Sequence, residues 1–263
     1  MSWPSTLAAV SLSCLVPVIY VSSLYVWRRR VRDDPTTIRL RFVSVSVTTV
    51  ISLLLLRSFV PLEADRPFCS LIGACFSRTS LFDAVLLPLL VTAALFLGPL
   101  VVFRDTYTWQ ELLQVMRDEL IDLQSFRNYV VAPITEETIF RAVVCAFLAT
   151  AITSRLLIIA ISAAVFSMAH THHYFFQAQQ GSSEITLAAG LFQVLYTFLF
   201  GVYSCTFYLK TSSILTSIAL HIFCNFLGFP DVDTLYSRRK YWTATLVGLL
   251  LWTLVCPLYL YSY

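Results

Sequence analysis

The sequence predicts an all-α integral membrane protein of about eight transmembrane helices with a cytoplasm-facing polar cavity, and three observations carry that expectation. Hydrophobic residues fill 58% of the 263 positions and charged residues only 13%, a balance outside the soluble range. The apolar residues gather into runs of roughly 20, the length a helix needs to cross a bilayer. The ionisable residues inside those runs concentrate in the fourth, fifth and seventh, while the third, sixth and eighth hold none. Composition alone excludes a soluble enzyme, a disordered chain and a nucleic-acid binder acting through a basic surface.

The eight windows run approximately Trp3 to Trp27, Phe42 to Pro61, Ala84 to Phe103, Asn128 to Thr150, Leu156 to His172, Ile185 to Leu209, Ser212 to Gly228 and Tyr241 to Leu260. The first lacks a basic leader and is followed by Arg28, Arg29 and Arg30, so it reads as an anchor with its amino end outside. Orientation follows from short loops, which keep Lys and Arg on the cytoplasmic side. Residues 28–41 carry six Arg, and residues 230–241 carry Arg238, Arg239 and Lys240. With eight spans both loops fall on the cytoplasmic side and both termini lie opposite. The loop from Leu62 to Asp83 then faces away from the cytoplasm, where Cys69 and Cys75 are able to pair. Between the third and fourth windows, Trp109, Leu112, Leu113, Met116, Leu120 and Leu123 recur at helical spacing, the pattern of a helix lying on the cytoplasmic face. The expected organisation is one polytopic membrane domain over residues 1–263, with an anchoring part up to Phe103 and the chemistry within 104–230.

An ionisable residue inside a membrane span marks a functional site by default. The fourth window holds Glu136, Glu137 and Arg141. Glu137 and Arg141 are four apart with the acid first, the favourable order for an ion pair on one helix face. That pairing does not involve Glu136, which points about a hundred degrees round the helix and is suited to take a proton from water. His170 closes the fifth window; His221 and Asn225 share a face of the seventh. Imidazole and carboxamide both donate hydrogen bonds, so two such donors on a rigid helix suit an oxyanion forming on a carbonyl under attack. In the expected topology all four groups lie toward the cytoplasmic side. His172 and His173 read as interfacial, and Tyr174 to Phe176 as part of an aromatic belt.

Glu136-Glu137-x-x-x-Arg141, Phe166-x-x-x-His170 and His221-x-x-x-Asn225, in that order on hydrophobic segments, resemble the three-motif signature of the CAAX protease and bacteriocin-processing superfamily. Within it the chain resembles the type II CAAX prenyl endopeptidases of the endoplasmic reticulum. The resemblance covers about ninety residues, from Pro133 to Asn225, and the first hundred residues add only topology. It implies removal of the carboxyl-terminal tripeptide from farnesylated or geranylgeranylated CAAX proteins such as Ras-type small GTPases, without a cofactor, at a cytoplasm-facing site in the endoplasmic reticulum membrane. Residue by residue, it implies that Glu136 activates water together with His170, that His221 and Asn225 form the oxyanion hole, and that Glu137 and Arg141 support the site. Partners would be the prenylated substrate and membrane lipid, with no nucleic acid.

On the residues alone, a Glu and two His also have the composition of a metal site with an open position, although no H-E-x-x-H occurs. No G-x-S-x-G elbow is present and Asp is absent from the spans apart from Asp83 at one edge, which disfavours serine and aspartyl mechanisms. A non-catalytic scaffold using the same residues as an interhelical polar network stands as the alternative.

Overall fold

The computed structural model describes residues 6–27, 33–60, 67–75, 80–171 and 183–261, and every regular element among them is helical. His172, His173 and Tyr174 to Phe176 lie outside the described residues, as do Arg28, Arg29, Arg30 and Arg32. The chain forms two compact units, one of Met1–Cys75 with Ile134–Ser217 and the other of Phe76–Pro133 with Ile218–Tyr263.

The first unit opens with α1 (Thr6–Ser23) and α2 (Pro35–Phe59). Asp34 caps α2, its carboxylate accepting from the Thr37 amide at 2.8 Å, and Pro35 supplies the preset φ of a first helical position. A short α3 (Phe68–Leu71) follows, beside a disulfide joining Cys69 and Cys75, the pairing the loop composition permitted. The rest of the unit contains α8 (Ala132–Glu137) from Ile134 on, a π-helical turn at Thr138–Val143, α9 (Val144–Ala149), α10 (Arg155–Ala169) and α11 (Ser183–Thr211). Its core is aromatic and aliphatic, with Phe140, Phe147, Phe166, Phe207, Leu56 and Leu148 fully enclosed. Helices α10 and α11 approach closely because Gly201 carries no side chain. A Cβ there would sit 2.9 Å from the Cα of Ala163, so this is a small-residue contact of the kind that joins helices within membranes. Ser212, with a left-handed φ of 52°, turns the chain into α12 (Ile214–Leu227).

The second unit contains a π-helical turn at Phe82–Leu86 with α4 (Leu87–Leu95), α5 (Leu97–Thr106), α6 (Trp109–Ile121), α7 (Leu123–Phe126) and a further π-helical turn at Arg127–Val131. It also holds most of α12, then α13 (Val232–Ser237) and α14 (Arg239–Tyr261). The uninterrupted apolar window at 84–103 bends by 85° between α4 and α5. Pro99 has no N–H to give the carbonyl four residues back, so the helical ladder breaks there. A Cβ at Gly98 would overlap the Thr245 hydroxyl, and one at Gly248 would overlap the Ala94 carbonyl. Those two glycines let α14 lie directly against the elbow. On α6 a capping box forms, with the Thr108 amide donating to Glu111 at 2.7 Å and the Glu111 amide donating to the Thr108 hydroxyl at 3.3 Å.

Among the described residues four helices are long and apolar enough to cross a membrane, over Thr6–Ser23, Pro35–Phe59, Leu187–Thr211 and Arg239–Tyr261, with a fifth if the bent pair Phe82–Leu95 and Leu97–Thr106 is one span. The windows expected at 156–172 and 212–228 fall on helices of 15 and 14 residues. At 1.5 Å per residue these extend only about 22 Å against a hydrocarbon layer of about 30 Å. Exposed apolar stripes such as Val43, Val47, Val50 and Leu54 on α2 and Leu246, Leu250, Leu254 and Leu258 on α14 suit contact with lipid.

Candidate active site

In the first unit the two adjacent glutamates meet different surroundings. Glu137 and Arg141 have no exposed side-chain surface, and Arg141 Nε lies 3.0 Å from Glu137 Oε2. Ser204, reaching across from α11, donates its hydroxyl to Glu137 Oε2 at 2.9 Å and accepts from Arg141 Nε at 3.3 Å. The guanidinium carbon is 4.5 Å from the centroid of the Phe166 ring, which offers the cation a π face. A buried charge is tolerated when paired and hydrogen-bonded in this way. The carboxylate of Glu137 is therefore committed to the core.

Glu136 retains 20% of its side-chain surface and His170 18%, and Glu136 Oε2 lies 3.7 Å from His170 Nε2. The helix end fixes the imidazole. His170 caps α10, and its backbone N–H turns to the Ser167 carbonyl at 3.0 Å. The Phe166 carbonyl, which would accept that N–H in a continuing helix, takes the ring Nδ1 at 2.8 Å. A carbonyl only accepts, so Nδ1 carries the proton and Nε2 faces Glu136. The Phe166 ring packs against the imidazole with centroids 4.4 Å apart. One phenylalanine thus contacts both the structural cation and the histidine.

The backbone that carries these groups is irregular for a reason. The π-helical turn at Thr138–Val143 widens the helix directly after Glu137, and such turns leave a carbonyl without its regular partner. At Phe140 that carbonyl accepts from Ser162 Oγ of α10 at 2.8 Å.

In the second unit His221 is buried and Asn225 exposed, one turn apart on α12. Asn225 donates through Nδ2 to the Asn128 carbonyl at 2.9 Å. One of its two amide hydrogens is thereby held and the other lies on the same fixed carboxamide. Phe226, its neighbour, meets Phe103 and Tyr129 edge-on at 5.6 and 6.0 Å.

Of the six residues expected from sequence, Glu136 with His170 and Glu137 with Arg141 are brought together inside one unit, and His221 with Asn225 share a helix in the other. Among the described residues no group of three or more His, Cys, Asp or Glu converges as metal ligands. Ser204 escaped the sequence reading, since a Ser within a 29-residue, mainly apolar helix carries no signal of its own. The same holds for Cys145 and Cys205, whose sulfurs lie 3.6 Å apart in the core.

Residues 120–227, which contain all six of these positions, match the family described as Type II CAAX prenyl endopeptidase Rce1-like. The chain is 35% identical to CAAX prenyl protease 2 of Homo sapiens over 251 residues, covering 88% of this chain and 72% of that protein. It is 32% identical to the probable CAAX prenyl protease 2 of Schizosaccharomyces pombe over 256 residues, covering 91% and 89%, and 28% identical to CAAX prenyl protease 2 of Arabidopsis thaliana over 222 residues, covering 76% and 70%. No solved structure matches it. The chain belongs to the type II CAAX prenyl endopeptidase family.

Proposed function

We infer that this chain is an intramembrane endopeptidase that removes the carboxyl-terminal tripeptide from farnesylated or geranylgeranylated CAAX proteins, Ras-type small GTPases among them. The observation that carries the chemistry is the pairing of a partly exposed carboxylate with an oriented imidazole, Glu136 Oε2 and His170 Nε2 at 3.7 Å, beside a second glutamate already neutralised by Arg141. Water between the two groups gives a proton to Glu136 as its oxygen attacks the scissile carbonyl, while His170 Nε2 orients it. His221 and Asn225 donate to the oxyanion of the tetrahedral intermediate. The Glu136 proton then passes to the departing amine of the tripeptide, the C–N bond breaks, and the carboxylate is regenerated. Glu137, Arg141 and Ser204 hold the segment that bears Glu136.

In this reading residues 104–230 form the catalytic core of a single polytopic domain with eight spans and a polar cavity open to the cytoplasm; the broken helical segment over 128–150 and the shorter helices α10 and α12, which cross part of the bilayer, complete the count. Support for the orientation comes from the Arg-rich loop at 28–41 and from the Cys69–Cys75 disulfide, which belongs in an oxidising compartment on the opposite face. The endoplasmic reticulum supplies that pairing of compartments, and CAAX substrates are prenylated in the cytosol. The prenyl chain reaches the site through membrane lipid.

The test is tripeptide release from a farnesylated CAAX peptide by purified protein in detergent, with and without a zinc chelator; the expected outcome is release by the wild type in both conditions and none by Glu136→Ala. Equal release by Glu136→Ala would remove the glutamate mechanism, and loss of wild-type release on chelation would replace it with a metal.

A further inference from the structure

Helix α1 carries a group that reaches the turn bearing Glu136. Its buried face is Ala9, Ser13, Val16 and Tyr20, spaced four, three and four apart, with Pro17 beside them, and this stripe turns inward within the first unit. At its inner end Tyr20 is 4% exposed. The phenol oxygen lies 2.8 Å from Thr135 Oγ1, a hydrogen bond across 115 residues of sequence. Thr135 immediately precedes Glu136. The Tyr20 ring also meets Phe140 edge-on at 6.1 Å and 84°, and Phe140 lies four residues beyond Glu136. Phe140 in turn meets Phe166 edge-on at 5.1 Å, and Phe166 packs on His170.

This bracket falls where the helix changes its hydrogen-bond pattern. Immediately after Glu137 the chain enters the π-helical turn at Thr138–Val143, a departure from the α-helical ladder that is frequent at functional sites. Tyr20 grips the chain on both sides of Glu136, by hydrogen bond at Thr135 and by ring contact at Phe140. Continuous aromatic packing then links that grip to the histidine facing the carboxylate.

We propose that Tyr20 is a positioning residue for the peptidase reaction, its hydroxyl bonded to Thr135 and its ring seated on Phe140 fixing the turn that presents Glu136 to His170. The proposal rests on the reading of Glu136 as the group that activates water. It gives the amino-terminal helix a part in catalysis besides membrane anchoring.

The test uses the full-length protein in phospholipid vesicles, with a farnesylated CAAX peptide as substrate. Tyr20→Phe keeps the ring and removes only the hydroxyl; Thr135→Val removes its partner; Thr135→Ser restores a hydroxyl. Tyr20→Phe and Thr135→Val each lower kcat about three- to tenfold, the size of one neutral hydrogen bond lost from the transition-state arrangement, with KM changed less than about twofold. The double variant is no slower than the slower single one, because both remove the same bond. Thr135→Ser recovers most of the rate, and the rate losses do not track the modest fall in thermal midpoint that losing one buried hydrogen bond brings. Wild-type kcat in Tyr20→Phe, multiplicative losses in the double variant, or rate losses that follow the thermal midpoint would each overturn the proposal. Glu136→Gln is run in parallel. If it is inactive while Tyr20→Phe is fully active, positioning by Tyr20 alone fails; if Glu136→Gln turns over normally, the reading of Glu136 fails and the proposal with it.

Discussion

Glu137 and Arg141 form an ion pair at 3.0 Å with no exposed side-chain surface on either partner. Ser204 satisfies further hydrogen-bonding capacity on both. Removing one member of a buried pair leaves the other charge uncompensated, which typically costs about 3–5 kcal/mol. Arg141→Ala is therefore expected to lower stability by about that amount, whereas Ser204→Ala, which removes a hydroxyl, costs about 1–3 kcal/mol. Denaturant unfolding in detergent checks both. An Arg141→Ala protein as stable as wild type would show that the pair does not hold this part of the core.

The tautomer of His170 is set by a helix end. With Nδ1 donating to the Phe166 carbonyl at 2.8 Å, the neutral ring carries its proton on Nδ1. Nitrogen-15 spectra of selectively labelled histidine report this directly. Finding the neutral ring protonated on Nε2 would place a donor rather than a lone pair toward Glu136 and would require a different route for the proton.

Cys69 and Cys75 close a small loop, for which the chain-entropy relation gives about 2 kcal/mol of stabilisation. Peptide mapping without reductant is expected to recover these two joined, as they are in the structure, with Cys145 and Cys205 as thiols. Cys69→Ser is expected to lower the thermal midpoint and to leave kcat near the wild-type value. A free Cys69 thiol in protein from native membranes would contradict the oxidising location proposed for this loop.

At the start of α6 the Thr108 amide, with its hydroxyl, holds the Glu111 carboxyl below the usual value. A lowered folded value means that the cap contributes above the unfolded pKa of about 4.3 and is lost as pH falls through the folded one. Amide protection in the first turn of α6, corrected for intrinsic exchange, is expected to fall several-fold from pH 6 to pH 3 in wild type. Glu111→Gln removes that pH dependence. A flat profile in wild type would show that the charged cap does not stabilise the turn.

Much of the candidate site was legible in sequence because its parts repeat at helical spacing. Glu137 and Arg141 pair as their four-residue interval implies, even though Arg141 sits in a π-helical turn. His221 and Asn225 share α12 for the same reason. What periodicity does not carry is contact between distant segments. Ser204 meets Glu137 across 67 positions, and Tyr20 meets Thr135 across 115; each is an ordinary polar residue in an apolar helix until the helices pack. The 85° bend at 95–97 was hidden likewise, since hydropathy is continuous through it and only Pro99 hints at the break. The first hundred residues, silent as sequence, hold α1 and with it Tyr20.

The central claim is that two adjacent glutamates divide the labour, Glu136 for chemistry and Glu137 for structure. The most direct measurement is turnover of a farnesylated CAAX peptide and the thermal midpoint, taken together for Glu136→Gln and Glu137→Gln. The account predicts that Glu136→Gln melts like wild type with kcat reduced about 10²- to 10⁴-fold, the range of general-base catalysis, while Glu137→Gln melts markedly lower. Normal turnover by Glu136→Gln, or a Glu137→Gln protein of wild-type stability with the larger loss of kcat, would contradict it.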